Sequence, residues 1–355
     1  MQSSSPQKIK ILVEILHGLG DTVCALPMLY TIRQSYPNAE ITVLTKTLQG
    51  KQILQSSRIR IDYIYCLDVY SNIFNTICVF RKLRNMQFTY SISSSITPVF
   101  KARLFNQIIH PFHWSGIQKR GIYFNDIENK YHFISANLLG ISDICPYVDD
   151  CIQPILYPDP NIVRRMKKRI YYVAHEKVLG ICIGNGDFTY KCKFLRIGKV
   201  YTRGWGIDNI VSVIKLLQNY KIKILLFGGK QEIPLMNYAQ KYIDKCENVI
   251  SLVGKTTIQE SIALSSLCQC VVGVDTGMQH IASAVGTKTI SIFGPTNPDT
   301  HGPNSFNSYF VVSHKQCPYQ YCYGTKRYVT CKNRKCIFTI SPREITNRIV
   351  KILFF

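Results

Sequence analysis

Largely uncharged, β-branched runs alternate with helical stretches through the second half of the chain, and few folds can accept that pattern. The runs VLGICIG (178–184), KIKILLFGG (221–229), NVISLVG (248–254), CQCVVGVD (268–275) and TKTISIFG (287–294) read as strands. Between them, 208–219, 233–245, 257–266 and 280–285 read as helices. A sheet with one wet face would alternate polar and apolar side chains; continuous apolar strands joined by helices call for a parallel sheet covered on both faces. The first half opens the same way. Residues 9–16 (IKILVEIL) read as a strand, 17–21 (HGLGD) as a turn, 22–36 as a helix closed by Pro37-Asn38, and 39–46 (AEITVLTK) as the next strand. That is a βαβ unit. Residues 61–67 and 90–92 add further strands and 134–141 a helix.

At 355 residues the chain is long enough for two domains. Pro154, Pro158 and Pro160, followed by a basic amphipathic stretch that runs to Lys177, read as the connection between them. The expected organisation is therefore an N-terminal Rossmann-like domain over 1–155, the linker 156–177, a second Rossmann-like domain over 178–340, and a closing helix over 341–355. In that helix Ser341 is the cap, Pro342 lies in the first turn and Glu344 at the capping-box position. The fold class is α/β, two parallel-sheet domains facing a cleft.

Composition narrows the classes. Hydrophobic residues make up 46% and charged residues 18%, too apolar for a disordered chain. The longest apolar candidate for a membrane span, 59–80, is broken by Arg60, Asp62 and Asp68. Glu14 and His17 interrupt what would be the apolar core of a signal peptide, so the opening reads as a short tail before a buried strand, and the setting as cytoplasmic. A formal net charge of +22 points to an anionic partner: nucleic acid, lipid headgroups or a phosphorylated substrate. The alternative is lysine-rich codon bias. Ten of the fourteen cysteines are scattered, several inside apolar runs, as in a reduced protein.

In parallel sheets, ligands gather beyond the carboxyl ends of the strands, where helix N-termini aim backbone N–H groups. Two loops qualify. In His17-Gly18-Leu19-Gly20-Asp21, the glycines let a ligand approach the backbone and Asp21 starts the next helix, either as a functional carboxylate or simply as its cap. Valine at position 23 breaks the dinucleotide fingerprint G-x-G-x-x-G. In Asp275-Thr276-Gly277-Met278-Gln279-His280, Asp275 ends a strand, Thr276 can cap a helix, Gly277 permits close approach and His280 follows one turn on. That set suits an anionic diphosphate; a core histidine at 280 is the plainer alternative. Aspartic proteases also carry D-T-G, but twice and in all-β domains.

These residues carry a resemblance. ILVEILHGLGDTVCALPMLYTIRQSYPNAEITVLT resembles the opening of the heptosyltransferase family, glycosyltransferase family 9, and VVGVDTGMQHIASAVGTKTISIFGPTNP resembles that family's donor-binding signature. FGGKQE and NVISLVGKTTIQE are similar to the segments between. The resemblance implies a GT-B fold and inverting transfer of a heptose from ADP-heptose to a hydroxyl of the lipopolysaccharide inner core, an anionic glycolipid. It implies that Asp21 is the general base, beside the acceptor-side glycines Gly18 and Gly20. Asp275, Thr276, Gly277 and His280 would hold the donor diphosphate, and Glu232 would contact the nucleoside. The family's basic residue two before a tryptophan is matched by Arg203-Gly204-Trp205, an arginine in place of a lysine.

No two aspartates are spaced as D-x-D, the usual divalent-ion clamp of sugar-nucleotide enzymes, so no cofactor is expected for the chemistry. Cys317, Cys322, Cys331 and Cys336 form C-x4-C-x8-C-x4-C within the loop 317–336, either a structural zinc site or unbound or disulfide-linked cysteines. Arg81, Lys82, Arg84, Lys101, Arg103, Lys119 and Arg120 are candidates for an acceptor-binding or membrane-facing surface, or for a plain solvated face. Three rivals stand beside the leading reading: a transferase with another nucleotide sugar or a protein or other glycan acceptor, a degenerate transferase fold used only for binding, and a basic nucleic-acid-binding protein with a zinc-ribbon-like cysteine cluster.

Overall fold

The computed structural model describes residues 8–67, 73–120, 131–146, 149, 152–184, 188–192, 197–201, 203–315, 317–331 and 333–355; the expected N-terminal tail lies outside them. The chain divides into two compact units, residues 1–155 and 156–355.

The first unit is built from β1 (Lys10–Ile15), α1 (Leu19–Cys24), α2 (Leu26–Ser35), β2 (Glu40–Thr45), α3 (Leu48–Ser56), β3 (Tyr63–Cys66), α4 (Ile73–Asn85), β4 (Tyr90–Ser93), α5 (Val99–Ile109), β5 (His113–Ser115) and α6 (Phe133–Gly140). Its sheet runs β3-β2-β1-β4-β5 with every pairing parallel. Ile11, Leu12, Val13 and Ile15 of β1 are wholly buried, as a central strand covered on both faces requires. Strand order reverses between β1 and β4, so the loops after these two strands open at the topological switch point, the standard place for a ligand.

The helix expected over 22–36 is two helices, α1 and α2, meeting at Ala25. Pro27 stands in the first turn of α2 and has no N–H to continue the ladder from α1, so the break falls just before it.

The second unit contains α7 (Pro160–Arg169), β6 (Lys177–Cys182), β7 (Phe188–Cys192), β8 (Ile197–Tyr201), α8 (Ile207–Leu216), β9 (Ile222–Phe227), α9 (Ile233–Ile243), β10 (Val249–Ser251), α10 (Ile258–Ser265), β11 (Cys270–Val274), α11 (Gly277–Ala284), β12 (Lys288–Phe293), α12 (Pro298–His301), β13 (Ser308–Val312), α13 (Lys326–Thr330), α14 (Lys335–Phe338) and α15 (Pro342–Phe354). Its parallel sheet runs β10-β9-β6-β11-β12-β13 and switches between β6 and β11, while β7 and β8 form a separate antiparallel hairpin. Residues 156–177, read from sequence as a connection, belong to this unit. Met166 of α7 and Ile170 at its C-cap are buried in a core with Val178, Leu225 and Ala263, while the basic residues of α7 face outward. In α15, Ser341 Oγ accepts from Glu344 N at 3.1 Å.

Each unit carries its own buried thiols, Cys24 and Cys145 in the first and Cys182, Cys268 and Cys270 in the second. No helix among the described residues is long and apolar enough to cross a membrane.

Candidate active site

In the first unit the loop after β1 turns into α1 at Gly18, which is the N-cap. Asp21 is the third residue of that short helix, and its Oδ2 accepts a hydrogen bond from Gly18 N at 2.8 Å. The carboxylate thus caps its own helix, with acceptor capacity beyond that one bond. A Cβ on Gly18 would stand 3.1 Å from Asp21 Oδ2, so the glycine lets the carboxylate fold back over the turn. Gly20 lies between them, half-buried.

Beneath this loop lies a network that sequence reading passed over. Glu14, on the central strand β1, is 1% exposed. Thr97 Oγ1 lies 3.0 and 2.9 Å from its two carboxylate oxygens, and His17 Nε2 lies 3.0 Å from the same hydroxyl. A hydroxyl has one proton; given to Glu14, it leaves Thr97 to accept from His17. Gln118 holds the Thr97 loop, donating to Ser94 O at 2.8 Å and Thr97 O at 2.9 Å. Burial pushes the Glu14 carboxyl up to about 7, against the Thr97 hydrogen bond and Lys101. Burial, helped by Lys46 and Lys101, pushes the His17 imidazole down to about 4. Between about pH 4 and 7 both groups are therefore neutral. The available signal was Glu14 itself, a lone acid in an apolar strand.

In the second unit the switch point is lined by the loops after β6 and β11. Asp275 follows β11 and is 5% exposed, and Arg203 Nη1 donates to its Oδ2 at 2.8 Å. Burial alone would raise the Asp275 carboxyl, but Arg203, with His301 and His280, holds it below the usual carboxylate range. Thr276 is the N-cap of α11, as its place in the loop suggests, yet its side chain makes no cap hydrogen bond. Its Oγ1 is buried and without a partner, as is Thr296 Oγ1 beyond the adjacent strand β12. A buried, unpartnered hydroxyl costs about 1–3 kcal/mol, which a bound polar ligand would recover. Gly277 is the first residue of α11, and His280, one turn in, is buried.

Gln279, on the hidden side of α11, is 0% exposed; Ser291 Oγ donates to its Oε1 at 3.0 Å, pinning the helix to β12. The Arg203 guanidinium lies 5.7 Å from the Tyr323 ring centroid, and His301 meets the same ring edge-on at 5.2 Å. His301 and Tyr323 were not singled out from sequence, because nothing local marks them. Trp205 anchors the Arg203 segment, its Nε1 donating to Ile340 O at 3.0 Å. Glu232 is buried at the carboxyl ends of β6 and β9, accepting from Gly229 N at 2.8 Å. A Cβ on Gly184 would come within 2.4 Å of Glu232 Cγ, so only glycine fits beside it.

The four clustered cysteines are free thiols. Burial, then the neighbouring Cys317, Cys322 and Cys331, pushes Cys336 up to about 11. Their mutual influence puts them in one neighbourhood, yet among the described residues no three His, Cys, Asp or Glu side chains are arranged to hold a metal ion.

The fold and these sites define a class: two Rossmann-like parallel-sheet domains of the GT-B kind, with an anion-suited helix N-terminus in the second. A family model for Glycosyltransferase family 9 (heptosyltransferase) matches residues 198–327. The chain is 25% identical over 229 residues to lipooligosaccharide heptosyltransferase 2 of Haemophilus influenzae, covering 61% of each chain. It is 22% identical over 360 residues to lipopolysaccharide heptosyltransferase 3 of Escherichia coli K12, covering 94% of this chain and 95% of that one. The solved E. coli ADP-heptose lps heptosyltransferase II superposes with a TM-score of 0.70 at 17% identity, covering 97% of this chain and 98% of that one. Over residues 198–327 the chain is similar to glycosyltransferase family 9, and each of these relatives is named as a heptosyltransferase. That similarity favours the enzyme reading over a nucleic-acid-binding protein.

Proposed function

We propose that the chain transfers a heptose from ADP-heptose to a hydroxyl of the lipopolysaccharide inner core, inverting the anomeric centre and needing no metal for the chemistry. The names of its relatives support the sugar and the acceptor. The observation that carries the donor half is the Arg203–Asp275 pair at the N-terminus of α11, beside the unpartnered Thr276 hydroxyl.

As the acceptor oxygen attacks the anomeric carbon, Asp21 takes its proton and the bond to the diphosphate breaks, leaving the electron pair on the departing phosphate oxygen. That developing charge falls to the first backbone N–H groups of α11, the Thr276 hydroxyl, the Arg203 guanidinium and the His280 ring. The Asp275 carboxylate orients Arg203, while Gly277 lets the phosphate approach the backbone. Glu232 takes the nucleoside. Gly18 and Gly20 leave room for the acceptor beside Asp21. The setting is cytoplasmic, at the inner face of the membrane, and no nucleic-acid partner is involved.

A thermal-shift comparison of ADP-, GDP- and UDP-sugars tests the donor. At about 100 times Kd, the ADP-sugar should stabilise the fold by about 2.7 kcal/mol. A shift with only a GDP- or UDP-sugar would move the reading to another nucleotide. Thr276→Val sharpens the test: without donor its Tm should hold or rise, because a buried orphan hydroxyl is gone, while the donor-induced shift should shrink. An undiminished shift would remove Thr276 from the site.

A structural zinc on Cys317, Cys322, Cys331 and Cys336 is a separate proposal, supported by their C-x4-C-x8-C-x4-C spacing, and it requires these side chains to turn toward one another from the arrangement described. A cation would convert their mutual burden into four favourable charge contacts. Protein purified without chelator should carry about one equivalent of metal if this holds. All four thiols titrating freely in metal-free protein would retire it.

A further inference from the structure

Helix α5 is apolar on two opposite sides. Ala102, Phe105 and Ile109 are buried beneath it, whereas Phe100, Leu104 and Ile108, spaced i, i+4, i+8, are 67%, 54% and 37% exposed. Helix α4 packs alongside, its Phe80 ring meeting Phe105 edge-on at 5.8 Å, and turns Phe74 and Ile77 outward at 74% and 57% exposure. Phe112, just past α5, is 77% exposed. An open groove of about 590 Å³ joins the two outward faces, with Ile77, Phe80 and Ile108 on its walls and Arg81 and Arg84 at its side. So many large apolar side chains gathered on one exposed surface mark an interaction site.

The segment that carries it has charge of one sign. Between Asp68 and Asp126 the sequence has no acidic residue and seven Lys or Arg, among them Arg81, Lys82 and Arg84 on α4 and Lys101 and Arg103 on α5. Exposed apolar stripes edged by long cationic side chains are what a helix lying in a lipid interface presents: the apolar groups enter the acyl boundary and the cations reach the headgroups. A second copy of the chain would set these cations against themselves. A nucleic acid would gain nothing from Ile77, Leu104 and Ile108, which cannot stack with bases. Helix α7 is basic too, but its Met166 and the Ile170 that caps it are spent on the core, so it lacks the second half of the device.

We propose that the outward faces of α4 and α5 dock the protein on an anionic lipid surface, with Phe74, Ile77, Phe100, Leu104, Ile108 and Phe112 entering the interface. None of these residues is among the donor and base residues, and the reading stands whichever sugar and acceptor the enzyme uses.

The test is co-sedimentation with vesicles of phosphatidylcholine alone, or with about a third phosphatidylglycerol; neither contains an acceptor, so the result is independent of sugar transfer. The protein should bind the anionic vesicles and release as salt rises. Leu104→Ser/Ile108→Ser/Phe112→Ser should weaken binding at least about tenfold. Arg81→Gln/Lys82→Gln/Arg84→Gln should weaken it on the order of 10²-fold, at about fivefold per cation. Lys167→Gln/Lys168→Gln on α7 should leave it near wild type. No binding to anionic vesicles, an apolar variant that binds as well as wild type, or an α7 variant that loses as much as the α4 variant would each overturn the proposal. So would vesicle binding being absent while the face holds a second copy or a generic oligonucleotide.

Discussion

Asp21→Asn should lower kcat by about 10² to 10⁴ while leaving donor binding unchanged, the loss typical of removing a general base. A sugar hydroxyl is far too weak an acid to ionise near neutrality, so its attack needs a carboxylate within reach. The substitution separates that role from the structural one. Asp21 Oδ2 accepts from Gly18 N at 2.8 Å, and an asparagine amide oxygen can accept the same bond, so α1 keeps its cap. Activity should fall without a matching fall in Tm. Near-wild-type turnover in the Asn variant would reduce Asp21 to a helix cap.

The second large effect is on stability, through the network that joins buried Glu14 to half-buried His17. Below about pH 4.5 Glu14 holds its proton in both folded and unfolded chains. From there to about 7 only the folded chain holds it, so stability is lost as pH rises through that window. His17 runs the other way. Above about 6.5 it is neutral in both states; below that the unfolded chain takes a proton the folded one refuses down to about 4, so stability is lost as pH falls. Each full shift amounts to about 3 kcal/mol, and across the shared window the two slopes oppose one another.

Removing either partner should uncover the other. His17→Gln should become less stable, relative to wild type, from pH 4.5 to 7, and Glu14→Gln less stable from pH 6.5 to 4. Urea midpoints at several pH values read this directly. Variants whose midpoints track wild type at every pH would mean the network does not hold both groups neutral.

The architecture was legible because a parallel sheet writes itself as continuous β-branched runs, and CQCVVGVD and TKTISIFG leave little else to form. Boundaries were less so. Pro27 divides one apparent helix into two, and the proline-rich opening of 156–177 hid α7, whose Met166 and capping Ile170 face the core. Helix α5 escaped notice because its apolar residues lie on two sides, which erases the one-sided 3.6-residue period by which a core helix is recognised.

In the candidate site, Asp275, Thr276, Gly277 and His280 were readable as one contiguous loop, while their partners were not. Arg203 reaches Asp275 across 72 residues of sequence, His301 arrives from α12 and Tyr323 from the segment beyond β13. Long-range pairing of that kind leaves no local pattern.

The buried thiols give each half of the molecule its own clock. Burial pushes Cys182 and Cys270 up to about 12 and raises Cys145 as well, so these sulfurs stay protonated and unreactive while their surroundings remain closed. An alkylating reagent can reach them only when the enclosing core opens. Modification of Cys24 and Cys145 therefore times openings of the first unit, and modification of Cys182, Cys268 and Cys270 those of the second. Mass spectrometry of a single labelling course would rank the two units by how often each one breathes, with no mutation made.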